Sequence, residues 1–282
     1  YICVQNRSMY TEYQPSHLLV PYIDSYWEFK GNPDYGMRIH ILPDGCTDFI
    51  FTLGEVANAV EEGSLIMQPY RSYFVGPMTK YSELVTYTES IHMFGVRFLP
   101  CGLSCFTNLP LHEFVNSRVS TNEMKAVFDD TFIEKLGEQK HVTDRIRVVE
   151  EYLLAYLARH YQPADSHVAM AVNMINHSKG KRSVRSLMDD VCLCQRHFER
   201  KFKHYTGFTP KEYSRIVKFK NAVELLRTTT SANLLTTAVD AGYYDLAHFS
   251  KEIKSMSGNT PASFLSLTVP EETTLTYIEP QR

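Results

Sequence analysis

The apolar positions of the chain follow one spacing in its first third and another in the rest. Up to about residue 110 they cluster in short segments rich in aromatic and β-branched residues, which predicts β-strands. Turn formers such as Pro43-Asp44-Gly45 and Gly76-Pro77 separate these segments. The predicted strands are 38–42, 47–53, 72–75 and 92–98, whereas 17–29 fits a helix or a strand. Short strands at regular intervals indicate a barrel or a sandwich.

From about residue 111 the spacing is helical. Apolar residues at every third or fourth position predict helices over 121–136 and 143–159. The second helix has one apolar stripe, made of Ile146, Val149, Leu153, Tyr156 and Leu157, with Arg145, Arg147, Glu150 and Glu151 elsewhere. The stripe fits a dimer contact and packing on its own domain about equally well. Residues 161–166 break the pattern, so we expect a linker there.

Helices follow one another after this linker. They are predicted over 167–177, 183–191, 195–204, 209–227, 233–241 and 245–255, with a short one after Thr260-Pro261. Ser183 is the expected N-cap of the second of these helices. Thr209-Pro210-Lys211-Glu212 has the form of a capping box, so it should open the long helix. That helix is apolar on much of its surface, which indicates packing on more than one side.

One short pattern occurs twice in this helical region. Residues 197–213 and 248–264 carry His, Phe, Lys, Gly, Thr and Pro in the same places. An internal repeat indicates one supersecondary unit built twice. The expected arrangement is a helix-turn-helix at each end of one connecting helix, with the second turn one residue longer.

The charge distribution agrees with a nucleic-acid-binding role for the repeat. Residues 168–267 hold 15 Lys and Arg against 8 Asp and Glu, whereas 1–167 hold 13 against 21, although the whole chain has a net charge of only −3. A basic block behind an acidic one suggests a nucleic-acid-binding module on a regulatory or enzymatic partner.

The second helix of each unit offers polar residues opposite its apolar ones. In the first copy Phe198 and Phe202 should face inward, which leaves Arg196, Glu199, Arg200 and Lys203 for DNA. In the second copy Phe249 and Ile253 should face inward, which leaves Leu246, Ala247, Ser250, Lys251 and Lys254. The first face is richer in groups that hydrogen-bond to bases. We therefore expect the first copy to read bases more strongly and the second to rely on phosphates and thymine methyl groups.

Several fixed spacings in this region carry a family resemblance. Leu225-Leu226, Ala238, Gly242-Tyr243, His248-Phe249-Ser250-Lys251 and Gly258-x-Thr260-Pro261 resemble the signature of the AraC/XylS family of bacterial transcription regulators. The resemblance implies binding of promoter DNA by two helix-turn-helix units. It also implies base-contact positions at Arg196, Glu199, Arg200, Leu246, Ala247, Ser250 and Lys251. Met188, Cys192, Cys194 and Leu246 depart from the usual family residues.

The N-terminal half is similar to a sensor-like domain that precedes some AraC-type modules. This similarity rests on Tyr26-Trp27, the segment 41–51, Val75-Gly76-Pro77 and the segment 95–100. The residues expected to line a ligand pocket are polar or aromatic and lie on or near the predicted strands: Trp27, His40, Asp44, Cys46, Asp48, Tyr81 and Arg97. Taken singly, each fits a structural role more readily than a ligand contact.

Rival interpretations of the chain have weaker support. A metal-dependent cupin enzyme would need clustered His and carboxylates, and His40 and His92 stand alone. A Ser-His-Asp hydrolase would need a nucleophile-elbow motif. The pairs Cys101/Cys105 and Cys192/Cys194 suit oxidant sensing less well than inert burial. No run of eighteen apolar residues indicates a membrane span, and no signal peptide is visible.

The sequence thus predicts an α+β protein in two parts. A mainly β, cupin-like barrel or sandwich with helices (1–160) senses a ligand or dimerises, and a linker (161–166) leads to an all-α DNA-binding domain (167–267) and a tail (268–282). The expected function is sequence-specific transcription regulation in the cytoplasm, without enzymatic activity, metal or cofactor. The expected partners are promoter DNA, a small-molecule effector, a second copy through 143–159, and RNA polymerase. The alternative is a regulator that acts mainly through protein contacts.

Overall fold

The computed structural model describes residues 9–61, 63–124, 127–128, 130–160, 162–191, 193–228, 234–266 and 276–279. Its strands are β1 Tyr10–Tyr13, β2 Ile23–Gly31, β3 Met37–Ile41, β4 Thr47–Thr52, β5 Asn58–Ala59, β6 Ser72–Val75, β7 Ser82–Thr86, β8 Ile91–Phe98, β9 Arg118–Ser120 and β10 Thr276–Glu279. Its α-helices are α1 Asp130–Gly137, α2 Val142–His160, α3 Ser166–His177, α4 Val184–Val191, α5 Gln195–Thr206, α6 Pro210–Thr228, α7 Leu234–Asp240, α8 Leu246–Ser257 and α9 Pro261–Ser266. The four strands predicted from the sequence all form, and of the segment 17–29 residues 17–22 are a turn and 23–29 belong to β2.

The strands form two antiparallel sheets, which confirms the sandwich prediction. The larger sheet has the order β1-β2-β8-β4-β6-β9 and the smaller one β10-β3-β7-β5, so the described strands do not close into one barrel. Trp27, Ile50 and Met93 of the larger sheet share a core with Ile39 and Leu84 of the smaller one. Trp27 lies flat against Gly95, where a Cβ would come within 1.9 Å of the indole. The absence of a side chain at position 95 therefore makes room for the tryptophan ring.

The other face of the larger sheet is covered by helices. Its phenylalanines, among them Phe49, Phe51 and Phe94, pack with α1 and α2. The single helix predicted over 121–136 is wrong in extent, because 121–123 form a 3₁₀ turn, Met124 is extended and α1 begins at Asp130. Phe128 packs edge-on against both Phe49 and Phe51. This tertiary packing overrides the local helical spacing.

The long helix α2 forms as predicted, but its buried row includes a charged residue. Arg145 is 5% exposed and lies on the same side as Val149 and Leu153, which are fully buried. Its guanidinium donates hydrogen bonds to the Gln139 carbonyl at 2.6 Å and to Glu28 at 2.9 Å. The apolar stripe therefore packs on its own domain. A dimer through 143–159 stays a prediction and would have to use the exposed side of α2.

The C-terminal helices form two helix-turn-helix units, α4–α5 and α7–α8, joined by α6. Ser183 caps α4 as predicted, since its Oγ accepts from the Ser186 amide at 3.1 Å. The capping box also forms, with Thr209 N donating to Glu212 at 2.7 Å and Glu212 N donating to Thr209 Oγ1 at 3.1 Å. Helix α3 begins one residue earlier than predicted, because the Asp165 carboxylate caps it. Asn233, the predicted start of α7, lies outside the described residues.

The core of these helices continues onto the sandwich. Leu42 and Cys101 belong to the same apolar cluster as Phe198, Phe219 and Phe249. At the β3–β4 turn the backbone of Gly45 touches Tyr213 of α6, where a Cβ would come within 2.7 Å of the ring. The two parts of the chain are therefore packed together through apolar contacts. None of the described helices is long and apolar enough to cross a lipid bilayer.

Candidate functional site

The first recognition face is the solvent side of α5, with Arg196, Glu199, Arg200 and Lys203. Arg196, Arg200 and Lys203 are exposed, and Glu199 is half-buried. Phe198 and Phe202 are fully buried and contact each other edge-on, with ring centroids 5.6 Å apart. Because these two aromatic anchors hold one side of the helix in the core, its cationic side is presented outward.

Two members of this face are already positioned by neighbours on the same helix. Gln195 Nε2 donates to Glu199 Oε1 at 2.9 Å, and Arg200 Nη2 lies 3.1 Å from His197 Nδ1. Within the part of the chain that the structure describes, Arg196 and Lys203 have no such contact. The face therefore offers one acceptor and three donors, which is the combination that reads guanine and cytosine edges.

The second recognition face is the solvent side of α8, with Leu246, Ala247, Ser250, Lys251 and Lys254. Ser250 is half-buried, and the other four residues of this face are exposed. Phe249 and Ile253 are fully buried beneath it. Asp245 caps this helix, its carboxylate accepting from the His248 amide at 2.7 Å. Unlike the first face, this one begins with two apolar side chains.

Ion pairs fix each recognition helix to a different neighbour. Lys201 on the buried flank of α5 lies 2.6 Å from Asp165, the residue that caps α3. Glu252 on α8 accepts two bonds from Arg215 of α6, at 3.0 Å from Nε and 2.9 Å from Nη2. Burial raises the pKa of Asp165, but Lys201 and the α3 amides outweigh it and hold that pKa below its ordinary value. Sequence patterns did not reveal either pair, because each joins residues 36 or 37 positions apart.

Five of the seven predicted ligand residues meet inside the sandwich at the end that faces α6. Trp27 Nε1 donates to Asp48 Oδ1 at 2.7 Å, and Arg97 Nε donates to the same oxygen at 3.3 Å. Asp44 lies 3.7 Å from Arg97 and accepts from the Cys46 amide at 2.8 Å. These residues form a packed polar network at the interdomain contact.

The network holds more negative than positive groups. Glu12 is 3.6 Å from Arg97 and accepts the Tyr10 hydroxyl at 2.7 Å, so three carboxylates surround one guanidinium. Burial raises the pKa of Asp48, and the nearby Asp44 adds to this despite the opposing effect of Arg97. Burial lowers the pKa of Arg97, but Asp48 and its other neighbours outweigh this, so the guanidinium stays charged.

The remaining two predicted ligand residues lie apart from this network. The rings of His40 and Tyr81 stack with centroids 5.9 Å apart. Tyr81 alone among the seven lines a cavity of about 430 Å³ at the side of the sandwich. The other lining residues, which sequence patterns did not single out, include Lys80 and Arg118.

The described residues offer little to metal or redox chemistry. No group of three or more His, Cys, Asp or Glu placed to hold a metal occurs among them. Cys194 is free and exposed, so the burial expected of it is wrong, whereas Cys46, Cys101 and Cys105 are free and buried. Burial raises the pKa of all three thiols, which disfavours the reactive thiolate. Cys192 lies outside the described residues.

Comparison with protein families divides the chain in two. Residues 11–120 match a family described as a domain of unknown function (DUF6597), and residues 187–266 match the helix-turn-helix domain family. No curated protein sequence matches the chain.

Comparison with solved structures shows a shared fold. ToxT from Vibrio cholerae is 9% identical with a TM-score of 0.50, over 86% of this chain and 98% of that chain. ToxT from Vibrio cholerae O395 bound to (E)-4-(8-methylnaphthalen-1-yl)but-3-enoic acid is 8% identical with a TM-score of 0.50, over 87% and 100%. A probable AraC family transcriptional regulator from Rhodopseudomonas palustris is 20% identical with a TM-score of 0.34, over 38% and 100%.

Proposed function

We propose that the chain, a DNA-binding transcription regulator whose residues 187–266 match an AraC-type helix-turn-helix domain, reads promoter sequence mainly through α5. The observation that carries this proposal is the contrast between the two exposed recognition faces. Arg196 and Arg200 can pair in bidentate fashion with guanine, and Glu199 can accept from cytosine. The second face has only Ser250 and two lysines as polar groups, and it adds apolar contact and phosphate binding.

The proposal predicts the spacing of the two DNA segments that the protein contacts. Two recognition helices fixed to one connector should enter successive major grooves about 34 Å apart on one side of the duplex. A chromatin-binding map of the intact protein would give a consensus with two blocks of unequal information content. Two equally informative blocks, or none, would contradict the assignment of sequence reading to α5.

Control of DNA binding through the N-terminal domain is the second element of the proposal. The acidic half does not cover the recognition residues, since Arg196, Arg200, Lys251 and Lys254 are exposed while the two parts are packed together. Autoinhibition in which the N-terminal domain covers the recognition residues is therefore disfavoured. A change in the relative positions of the two helix-turn-helix units is the better mechanism. A ligand can shift that balance only by its different affinities for the two states.

The effector is proposed to be a small molecule, with the seven sequence-derived residues as candidate contacts. The network of Trp27, Asp48 and Arg97 lies next to the contact between Gly45 and Tyr213. A ligand that engages these polar atoms would act directly on α6. The enoic acid held by ToxT, a protein of the same fold, supports a small-molecule effector. Trp27→Phe, which removes the indole donor to Asp48 and leaves both recognition faces untouched, should change DNA affinity as measured by fluorescence anisotropy.

One observation favours protein contacts as a further role of the second unit. Val239 of α7 is 59% exposed, and Tyr244 in the turn before α8 is 92% exposed. Apolar side chains at this position suit a protein partner such as RNA polymerase. Substitution of Lys251 or Lys254 would test this role. If the salt dependence of DNA binding stays unchanged in these variants, protein contacts are favoured over DNA binding by α8. Homodimerisation through 143–159 and a cytoplasmic location stay predictions, the first testable by sedimentation.

A further inference from the structure

Two loops of the sandwich are bound together into one unit. These paired loops, residues 77–81 and 111–118, meet at Asn116, whose amide N donates to the Pro77 carbonyl at 2.8 Å. The Asn116 side chain accepts from the Thr79 amide and donates to Thr79 Oγ1, both at 2.8 Å. Asn116 itself has a left-handed backbone, with φ of 57°. A displacement of one loop must therefore move the other.

On their outer side the paired loops touch both helix-turn-helix units at equivalent positions. Gly207 and Gly258 end α5 and α8, with φ of 84° and 76°, and they correspond in the internal repeat. A Cβ on Gly207 would lie 2.6 Å from Pro77 and 3.2 Å from the Leu111 carbonyl oxygen. A Cβ on Gly258 would lie 2.8 Å from the Tyr81 ring. One braced unit thus contacts the ends of both recognition helices.

On their inner side the same loops line the cavity of about 430 Å³, a size typical of small-molecule pockets. Part of its wall is apolar, formed by Leu65, Val75, Met78 and Val119. Lys80 and Arg118 supply positive charge. The cavity therefore combines an apolar surface with two cations and one carboxylate, that of Glu61.

The two cations of the cavity are only partly neutralised. Arg118 Nη2 donates to Ser82 Oγ at 2.7 Å, and among the described residues no carboxylate lies within ion-pair distance of Arg118. Lys80 pairs with Glu61 at 2.7 Å, but both side chains are more than half exposed, so this pair is readily exchanged. Burial lowers the pKa of Arg118, and the carboxylates of Glu61 and Asp48 offset this only in part.

We propose that this cavity binds a small organic carboxylate with an apolar body, and that its occupancy shifts the paired loops and both recognition helices together. The carboxylate pairs with Arg118, since a guanidinium binds a carboxylate in bidentate geometry. The apolar body covers Val75, Met78 and Val119. The site shares only Tyr81 with the ligand residues proposed above. Binding stands independently of the proposed function, whereas its effect on DNA rests on that function.

Binding can be tested by calorimetry on the full chain with 4-phenylbutanoate and octanoate, using their neutral amides as matched ligands. The carboxylates should bind at least tenfold more tightly than the amides. Arg118→Met should remove this preference, whereas Arg147→Met, which removes an exposed arginine of α2, should leave it unchanged. Val119→Phe should fill the cavity and abolish binding with Arg118 intact. Equal binding of acids and amides, no binding of either acid, or undiminished binding by the folded Arg118→Met and Val119→Phe variants would overturn the proposal.

Coupling is measured as the DNA affinity of the full chain with and without saturating 4-phenylbutanoate. A change of about fivefold or more is expected, and DNA must change the affinity for the carboxylate by the same factor. Carboxylate binding that leaves DNA affinity unchanged would overturn the coupling. A protein that binds the carboxylate but no DNA would instead refute the proposed function, so the two failures are distinguishable.

Discussion

The two helix-turn-helix units share one internal design but differ wherever they meet other molecules. Phe198 and Phe249 occupy equivalent places and are both fully buried, and Gly207 and Gly258 end the recognition helices in the same conformation. Outside the core the copies diverge, since one face has two arginines and a glutamate where the other begins with Leu246 and Ala247. The residues that set the fold are thus repeated, whereas those that select a partner are not.

The copies also differ in how their recognition helices are held. Cys194 gives α5 no side-chain cap, and this helix is fixed through Lys201 to Asp165. Helix α8 has the Asp245 cap and is fixed through Glu252 to the connector. Helix α5 is consequently attached near the linker, and α8 is attached to α6. A conformational change at the linker should therefore displace α5 more than α8.

The strongest test of the shared core is a matched pair of truncations. Phe198→Ala and Phe249→Ala should each destabilise the chain by about 3–5 kcal/mol, because each leaves a cavity in a fully buried cluster. Thermal unfolding followed by calorimetry would measure both. A much smaller destabilisation by Phe249→Ala would show that the core of the second unit is less tightly packed than that of the first.

Base-reading substitutions should separate the faces. Arg196→Ala and Arg200→Ala should each cost about 1–3 kcal/mol of binding to a cognate promoter and relax specificity. Leu246→Ala, a truncation on the second face, should cost less than about 1 kcal/mol, since it removes only apolar contact. Anisotropy titrations on cognate and mismatched duplexes would decide. Unchanged affinity in both arginine variants would show that α5 does not make the sequence-specific base contacts.

Exchange of the helix caps tests the difference in local stability. Asp245→Ala should destabilise the second unit by about 1 kcal/mol, because the His248 amide loses its acceptor. Cys194→Asp should stabilise the first unit by about 1 kcal/mol by supplying the missing cap. Both shifts would appear in the unfolding midpoint, with Lys30→Ala on the exposed end of β2 as a neutral reference. No gain at 194 would mean that the first turn cannot accept a capping geometry.

The smallest expected difference concerns the phosphate contacts of the lysines. Lys203→Ala and Lys254→Ala should each lower the slope of log affinity against log salt by about one and weaken binding to all sequences alike. The measurement is a salt titration on one cognate and one unrelated duplex. A sequence-dependent loss for Lys254→Ala would show that the second face reads bases after all.

Local patterns predicted most of the helical half. Ser183 and the Thr209–Glu212 box fix where α4 and α6 begin, and both signals act over a few residues. The sequence failed where contacts between distant segments decide the outcome. Phe128 packs against Phe49 and Phe51 and interrupts a helix that the spacing of 121–136 favours. Arg145 can be buried because its guanidinium pairs with the carboxylate of Glu28, which is distant in the sequence.

The site residues follow the same rule. The recognition faces could be predicted because helical periodicity places Phe198 and Arg200 on opposite sides of one helix. Arg118 was missed because nothing in its local sequence indicates a cavity wall, which only the approach of 61, 63–65, 78–82 and 116–119 creates. Trp27, Asp48 and Arg97 were grouped from their strands, but their mutual bonds required the register of β2, β8 and β4.

The pairing of β10 with β3 has a topological consequence. Residues 276–279 lie alongside 38–41 in the smaller sheet, so the chain that leaves α9 returns to the sandwich. The helix-turn-helix module is therefore tethered at both ends, by the segment after α2 and by this strand. A second tether raises the effective concentration of one domain at the other, so a brief separation of the two is quickly reversed. Removal of the last strand should lengthen the life of the separated state.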